Sequence, residues 1–189
     1  PQSTAKYAKN KLASYAVGAL ARFNNNYEQL HHEAKKTAKA LGMSPLCVNP
    51  YLNTAAQAVE IVHSLNKATQ IIDELLSDGV ALEKPEAPAS FSRGAGGVEV
   101  PRGVLFHEYE YDRDGTCLGG NCVIPTNQNH GNIQGDFDKL VLELLAAGKS
   151  EKEMELALEM LVRSYDPCIS CSTHYLDVSF VRGGKPCAT

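Results

Sequence analysis

The sequence predicts a mainly α-helical chain carrying one small antiparallel β-sheet, an α+β arrangement. Apolar residues recur at helical spacing through the first eighty or so residues and again near the C-terminus. Between those regions one stretch alternates apolar and polar residues around a turn signal. A length of 189 residues is enough for one sizeable core.

From Thr4 to about Arg22, Leu12, Tyr15, Ala16 and Ala19 predict a first helix. A second runs from about Asn26 to Leu41, where Lys35, Lys36 and Lys39 favour the negative end of the dipole and Gly42 offers a left-handed stop. Pro45 and Pro50 predict a loop. In the third helix Ala55, Val59, Val62, Leu65, Ile72 and Leu76 keep to one stripe, capped by Asn53 or Thr54 and ended by Gly79; it should pack on the first two. From Glu83 to Gly97 the prolines and glycines predict a loop. Alternation around Val104, Phe106 and Tyr109, the turn "DRDG" and a returning strand "CVIP" predict the sheet. Beyond it "GDFDKLVLELLAAGKS" predicts a helix stopped at Gly148. Ser150 and Glu153 form a capping box for a last helix, which buries Met154, Ala157, Leu158 and Leu161 and delivers the chain to Asp166. The chain therefore divides into helices over 1–82, loop and sheet over 83–135, helices and a cysteine motif over 136–174, and an extension over 175–189.

A hydrophobic content of 43% with 21% charged residues is ordinary for a globular protein. The net charge of −4 argues against a nucleic-acid binder, which gathers a basic excess on one face. No apolar run approaches the ~20 residues of a membrane span. "KNKLASYAVGALARFNNN" has the outline of a leader peptide, but Ser14, Tyr15 and Gly18 interrupt its apolar part. Six cysteines are too few for a disulfide scaffold and point to metal or redox chemistry in a reducing compartment. Cys47 reads as a small packing residue.

"DPCISCSTH", Asp166 to His174, carries the strongest chemical signal. Cys168 and Cys171 have the spacing at which a turn brings two sulfurs to one metal ion, or to each other. Structural zinc needs a second ligand pair, and Cys117 with Cys122 in "CLGGNC" is the candidate, one residue wider than usual. A thioredoxin-type dithiol opens a helix, whereas this pair follows one. His63 reads as a packing residue, His31 and His32 as a solvated pair, and His107 as a sheet residue or one standing behind the site.

"SYAVGALARFNNN", "VEVPRGVLFHEYEYDRDG", "VIPTNQN" and "DPCISCSTH" resemble, in order, the later segments of nickel–iron hydrogenase large subunits, most closely those of the cofactor-coupled cytosolic branch working with F420, NAD(P) or heterodisulfide reductase. The resemblance implies a helical lobe of such a subunit. It implies an active site of nickel and iron held by cysteine thiolates, with CO and cyanide on iron. Cys168 would then be a terminal nickel ligand and proton acceptor, and Cys171 a bridge between the metals. Arg102 would stand over the site, oriented by Asp166, and donate with Thr126 to the cyanides. His174 would ligate a separate magnesium or iron ion. Implied partners are H2, an iron–sulfur small subunit, a maturation endopeptidase and nickel chaperones, in the cytoplasm.

Two departures qualify this expectation. The family's early R-x-C-G-x-C segment does not occur, so this chain supplies only half of the thiolates and reads as the C-terminal part of a longer or split subunit. "YLDVSFVRGGKPCAT", Tyr175 to Thr189, resembles the extension removed from family precursors. The rival expectation is a noncatalytic or precursor-state module whose cysteines and histidine hold zinc or nothing.

Overall fold

Helical apolar spacing, a proline-led helix start and one strand hairpin fix where the later motifs meet. In the computed structural model, residues 8, 11, 13–84, 90, 92–171, 176–182 and 185–186 are described. The elements are α1 (Ala19–Asn26), α2 (His32–Ala40), α3 (Asn53–Asp78), β1 (Arg93–Val100), β2 (Gly103–Tyr111), β3 (Cys117–Val123), α4 (Pro125–Ala146), α5 (Glu151–Ser164), and a two-residue hairpin of β4 (Val181–Arg182) and β5 (Lys185–Pro186). The mainly helical class with a small antiparallel sheet, order β1-β2-β3, stands as expected, and β4 with β5 adds a separate two-stranded ladder.

Several boundaries differ from expectation. The first helix begins only at Ala19, because residues 14–17 form no regular element and Gly18 sits at φ 117. Leu12 lies outside the described residues. The second predicted helix is split: a 3-10 turn over Tyr27–Gln29 ends at extended Leu30, and α2 restarts with the His31 ring accepting from Glu33 N at 3.3 Å. Only Lys39 of the three lysines reaches the last turn of α2. Asn53 opens α3 without capping it, since its carbonyl oxygen accepts from Leu20 N at 3.1 Å. Gly94, Gly96 and Gly97, expected in a loop, are strand residues of β1. The next helix starts at Pro125 and not near Gly135, because Pro125 is well placed in a first turn whose missing N–H costs nothing.

The main core lies between α1, α2 and the first half of α3. Phe23, Ala34, Ala38, Met43, Ala56 and Val59 are buried there. Small residues at Ala34, Ala38 and Ala56 let the helices approach closely while Phe23 fills the gap. The later half of α3 outruns its partners, and Leu65, Ile72 and Leu76 are exposed, so only part of the predicted stripe packs. Met154, Leu158 and Leu161 of α5 are buried, as the last predicted stripe requires.

Candidate metal centre

The Cys168–Cys171 turn follows α5, a helix fixed at both of its ends. The Ser150–Glu153 capping box opens α5, and Glu153 is held down to about 2 by the Ser150 backbone N–H, Lys149 and the Ser150 hydroxyl. At the other end Tyr165 donates to Asp136 of α4 at 2.6 Å. Burial, then this hydrogen bond and the carboxylate charge, push the Tyr165 phenol well above its usual range. Asp166 then takes φ 50, turning the chain out of the helix. Cys171 N donates to Cys168 O at 3.1 Å, closing a turn that sets the two Cα atoms 5.2 Å apart with the sulfurs paired as a disulfide. The Ser170 hydroxyl lies 3.5 and 3.8 Å from the two sulfurs.

Three expected residues converge on this turn. Arg102, in the bend between β1 and β2, donates from Nε to Asp166 O at 3.1 Å and lies 3.3 Å from its Oδ1. Thr126, only 3% exposed at the start of α4, accepts from Cys168 N at 3.1 Å. Both contacts bridge long separations in sequence, 64 and 42 residues. His174 lies outside the described residues.

Other residues hold this convergence in place and were not singled out from the sequence. Gln57 of α3 donates to Asp166 Oδ2 at 2.9 Å, so both carboxylate oxygens are occupied. Arg22 grips Glu60 with two bonds of 2.5 and 2.7 Å and donates to the carbonyls of Val100 and Pro101 at 3.1 and 2.8 Å. The hydrogen bond to Glu60 raises the Arg22 guanidinium above its usual value despite partial burial. Behind Thr126 runs a buried polar belt. Gln128, 1% exposed, donates to Val104 O at 2.6 Å and accepts from the Tyr15 hydroxyl at 3.1 Å. Burial raises that phenol. Asn129 exchanges two bonds with the Val17 backbone, at 2.8 and 3.2 Å. Every buried side-chain polar atom among the described residues is satisfied. The polar run "TNQN" was the available signal for this belt; Gln57 had none.

The remaining histidines and cysteines fall elsewhere. His63 accepts from His31 N at 3.0 Å, in keeping with a packing role. Cys47 is held through its backbone by Asn24. Cys117 and Cys122 are free thiols exposed on β3, away from the terminal pair. Among the described residues no three Cys, His, Asp or Glu side chains gather around one point. The local donor set is therefore two adjacent soft sulfurs next to a buried hydroxyl, with Arg102 held on Asp166 two residues before Cys168. Once the Cys168–Cys171 disulfide is reduced to two thiols, that set fits a thiolate-bound transition-metal centre and not a hard oxygen-seeking cation.

A family model described as nickel-dependent hydrogenase matches residues 3–174. This chain belongs to the nickel-dependent hydrogenases. The alpha subunit of sulfhydrogenase 2 from Pyrococcus furiosus is 32% identical over 92% of this chain and 42% of its own length. The beta subunit of the NAD-reducing hydrogenase HoxS from Cupriavidus necator is 36% identical over 64% of this chain and 25% of its own length. A polypeptide of the F420-non-reducing hydrogenase from Methanothermobacter marburgensis is 36% identical over 44% of the chain and 18% of its own length. These likenesses place the hydrogenase chain with the C-terminal portion of large subunits in the cofactor-coupled branch. A crystal structure of NAD+-reducing [NiFe]-hydrogenase in the H2-reduced state has the same fold, with TM-score 0.70 at 23% identity, over 85% of this chain and 36% of that one. The chain thus spans about two fifths of the length of the sulfhydrogenase alpha subunits it matches.

Proposed function

We propose that this chain supplies the C-terminal half of the metal-ligand set of a hydrogenase catalytic subunit, for reversible oxidation of H2 to two protons and two electrons. The observation that carries the reading is the convergence of Arg102, Asp166 and Thr126 on the Cys168–Cys171 turn. The Cys168 and Cys171 sulfurs would hold a nickel–iron centre, completed by thiolates from the remainder of the subunit. Such a centre, with CO and cyanide on iron, supplies electron-rich metals at which the H–H bond is split.

Around it each side chain has a definable task. Arg102, oriented by Asp166, which Gln57 holds in turn, would offer guanidinium donors to a cyanide. Thr126 takes the Cys168 N–H on its oxygen and offers its own hydroxyl proton to a second cyanide. The terminal thiolate of Cys168 accepts the proton released from H2, a task that suits it better than Arg102, whose guanidinium stays charged. His174 would ligate a separate magnesium or iron ion. The two electrons leave through an iron–sulfur small subunit. Residues 175–189 would be the extension cut by a maturation endopeptidase after nickel chaperones have loaded the site, in the cytoplasm.

The test is elemental analysis with infrared spectroscopy of the complete subunit matured in its native host. Nickel and iron together with CO and cyanide bands, lost in Cys168→Ser, are expected. Zinc as the sole metal, without those bands in the assembled complex, would instead establish the noncatalytic reading.

A further inference from the structure

We propose that His107, Tyr109 and Cys122, on one face of the β2–β3 ladder, bind a divalent cation of borderline softness, zinc being the type case, at a site separate from Cys168 and Cys171. Antiparallel pairing sets His107 directly opposite Cys122, with Tyr109 two residues along the same face. Their donor atoms form a triangle. His107 Nδ1 lies 3.3 Å from Cys122 Sγ and 2.9 Å from the Tyr109 hydroxyl, and that hydroxyl lies 4.0 Å from Cys122 Sγ. Ligands bonded at about 2.0–2.3 Å and separated by angles of ~90–110° stand ~3.0–3.6 Å apart, so only the longest edge must close by about half an ångström.

The surroundings leave this triangle open. On β1 the residues beside Tyr109 and His107 are Gly94 and Gly96, and on β3 the partner of Tyr109 is Gly120. A Cβ at position 120 would meet the Tyr109 ring at 3.0 Å, so the glycine there permits the ring position. The His107 and Tyr109 rings stack with centroids 5.7 Å apart, which orders two donors before any ion arrives. Cys122 is exposed, so a cation can reach the triangle and keep water on its open side.

The donors are not equal. A cysteine sulfur and an imidazole nitrogen are the stronger ligands for a borderline cation, and the phenol oxygen is the weakest of the three. Cys122 and His107 therefore carry most of the affinity. Binding releases the Cys122 thiol proton. A sulfur–imidazole pair also selects against magnesium and calcium, which prefer oxygen.

The complete large subunit, with Cys168, Cys171 and the thiolate ligands contributed by the remainder of the subunit all replaced by serine, is titrated with Co2+ as the spectroscopic stand-in for zinc. One equivalent should give sulfur-to-cobalt charge-transfer absorption. Cys122→Ser abolishes that band, His107→Ala weakens binding at least about ten-fold, and Tyr109→Phe weakens it only a few-fold. Cys117→Ser and excess Mg2+ leave it unchanged. Zinc should also slow alkylation of Cys122 about ten-fold or more, read by mass spectrometry on the unsubstituted ladder. A charge-transfer band that survives Cys122→Ser, or alkylation of Cys122 unaffected by zinc, overturns the proposal.

Discussion

Gly103 shows how one residue without a side chain lets three segments meet. It lies at φ 146, and a Cβ there would stand 2.5 Å from Val17 Cγ2 and 3.0 Å from Pro125 Cβ. No ordinary contact is that short, so the bend after Arg102 can press against the segment before α1 and the first turn of α4 only through glycine. Gly103→Ala should destabilise the complete subunit by about 2–4 kcal/mol, combining overpacking with an unfavourable backbone angle. Urea unfolding reads the loss. Adding Val17→Ala should recover only part of it, because the clash goes and the backbone strain stays. The sequence marked Pro101–Arg102–Gly103 as a motif, but the need for glycine came from Val17, some eighty-six positions earlier, which no local pattern could reveal.

Among the elements, α5 acts as the arm on which the cysteine turn is mounted. Its capping box satisfies two N–H groups at the start, and its far end is anchored by the Tyr165–Asp136 bond. Ser150→Ala should cost about 1 kcal/mol of stability, with little change at the cysteine turn itself. The cap also has a pH signature. Glu153 falls from 4.5 to about 2 on folding, so its stabilisation is present above the unfolded value and is lost as pH falls between about 4.5 and about 2. Thermal unfolding against pH checks this, and Glu153→Gln should flatten the curve within that window. Unlike α5, α4 starts ten residues earlier than its apolar pattern indicates. Its first turn carries buried polar residues whose partners are the backbones of Val17 and Val104 and the Tyr15 hydroxyl. Periodicity records apolar burial alone, so a polar face satisfied from afar reads as loop.

At the scale of the whole molecule, Arg22 ties the helical core to the bend that carries Arg102. Its guanidinium joins Glu60 on α3 to the carbonyls of Val100 and Pro101, using the planar fork that lysine lacks. Arg22→Lys keeps the charge and should still cost about 1.5–3 kcal/mol, with reduced nickel retention in the matured enzyme. Denaturant unfolding and metal analysis read the two effects separately. The same scale explains the overlong apolar stripe of α3. That helix has 26 residues whereas α1 and α2 have 8 and 9, so its later turns extend past both. At 1.5 Å per residue the mismatch is roughly 25 Å. Helical spacing registers an apolar face but not the length of the partner that covers it.

The sequence by itself determined the α+β class, the hairpin around "DRDG", the capped arm ending at Asp166, and the close spacing of Cys168 and Cys171. Those features rest on local chemistry: a period, a turn residue, a cap, a thiol spacing. Tertiary structure alone decided that Gln57 and Arg22 hold Asp166 and the Arg102 bend in place, and that His107, Tyr109 and Cys122 share one open face. The reason is physical. A hydrogen bond between residues 57 and 166, or a register that opposes 107 to 122, depends on where packing and strand pairing bring distant backbones, and nothing in the intervening residues encodes that distance.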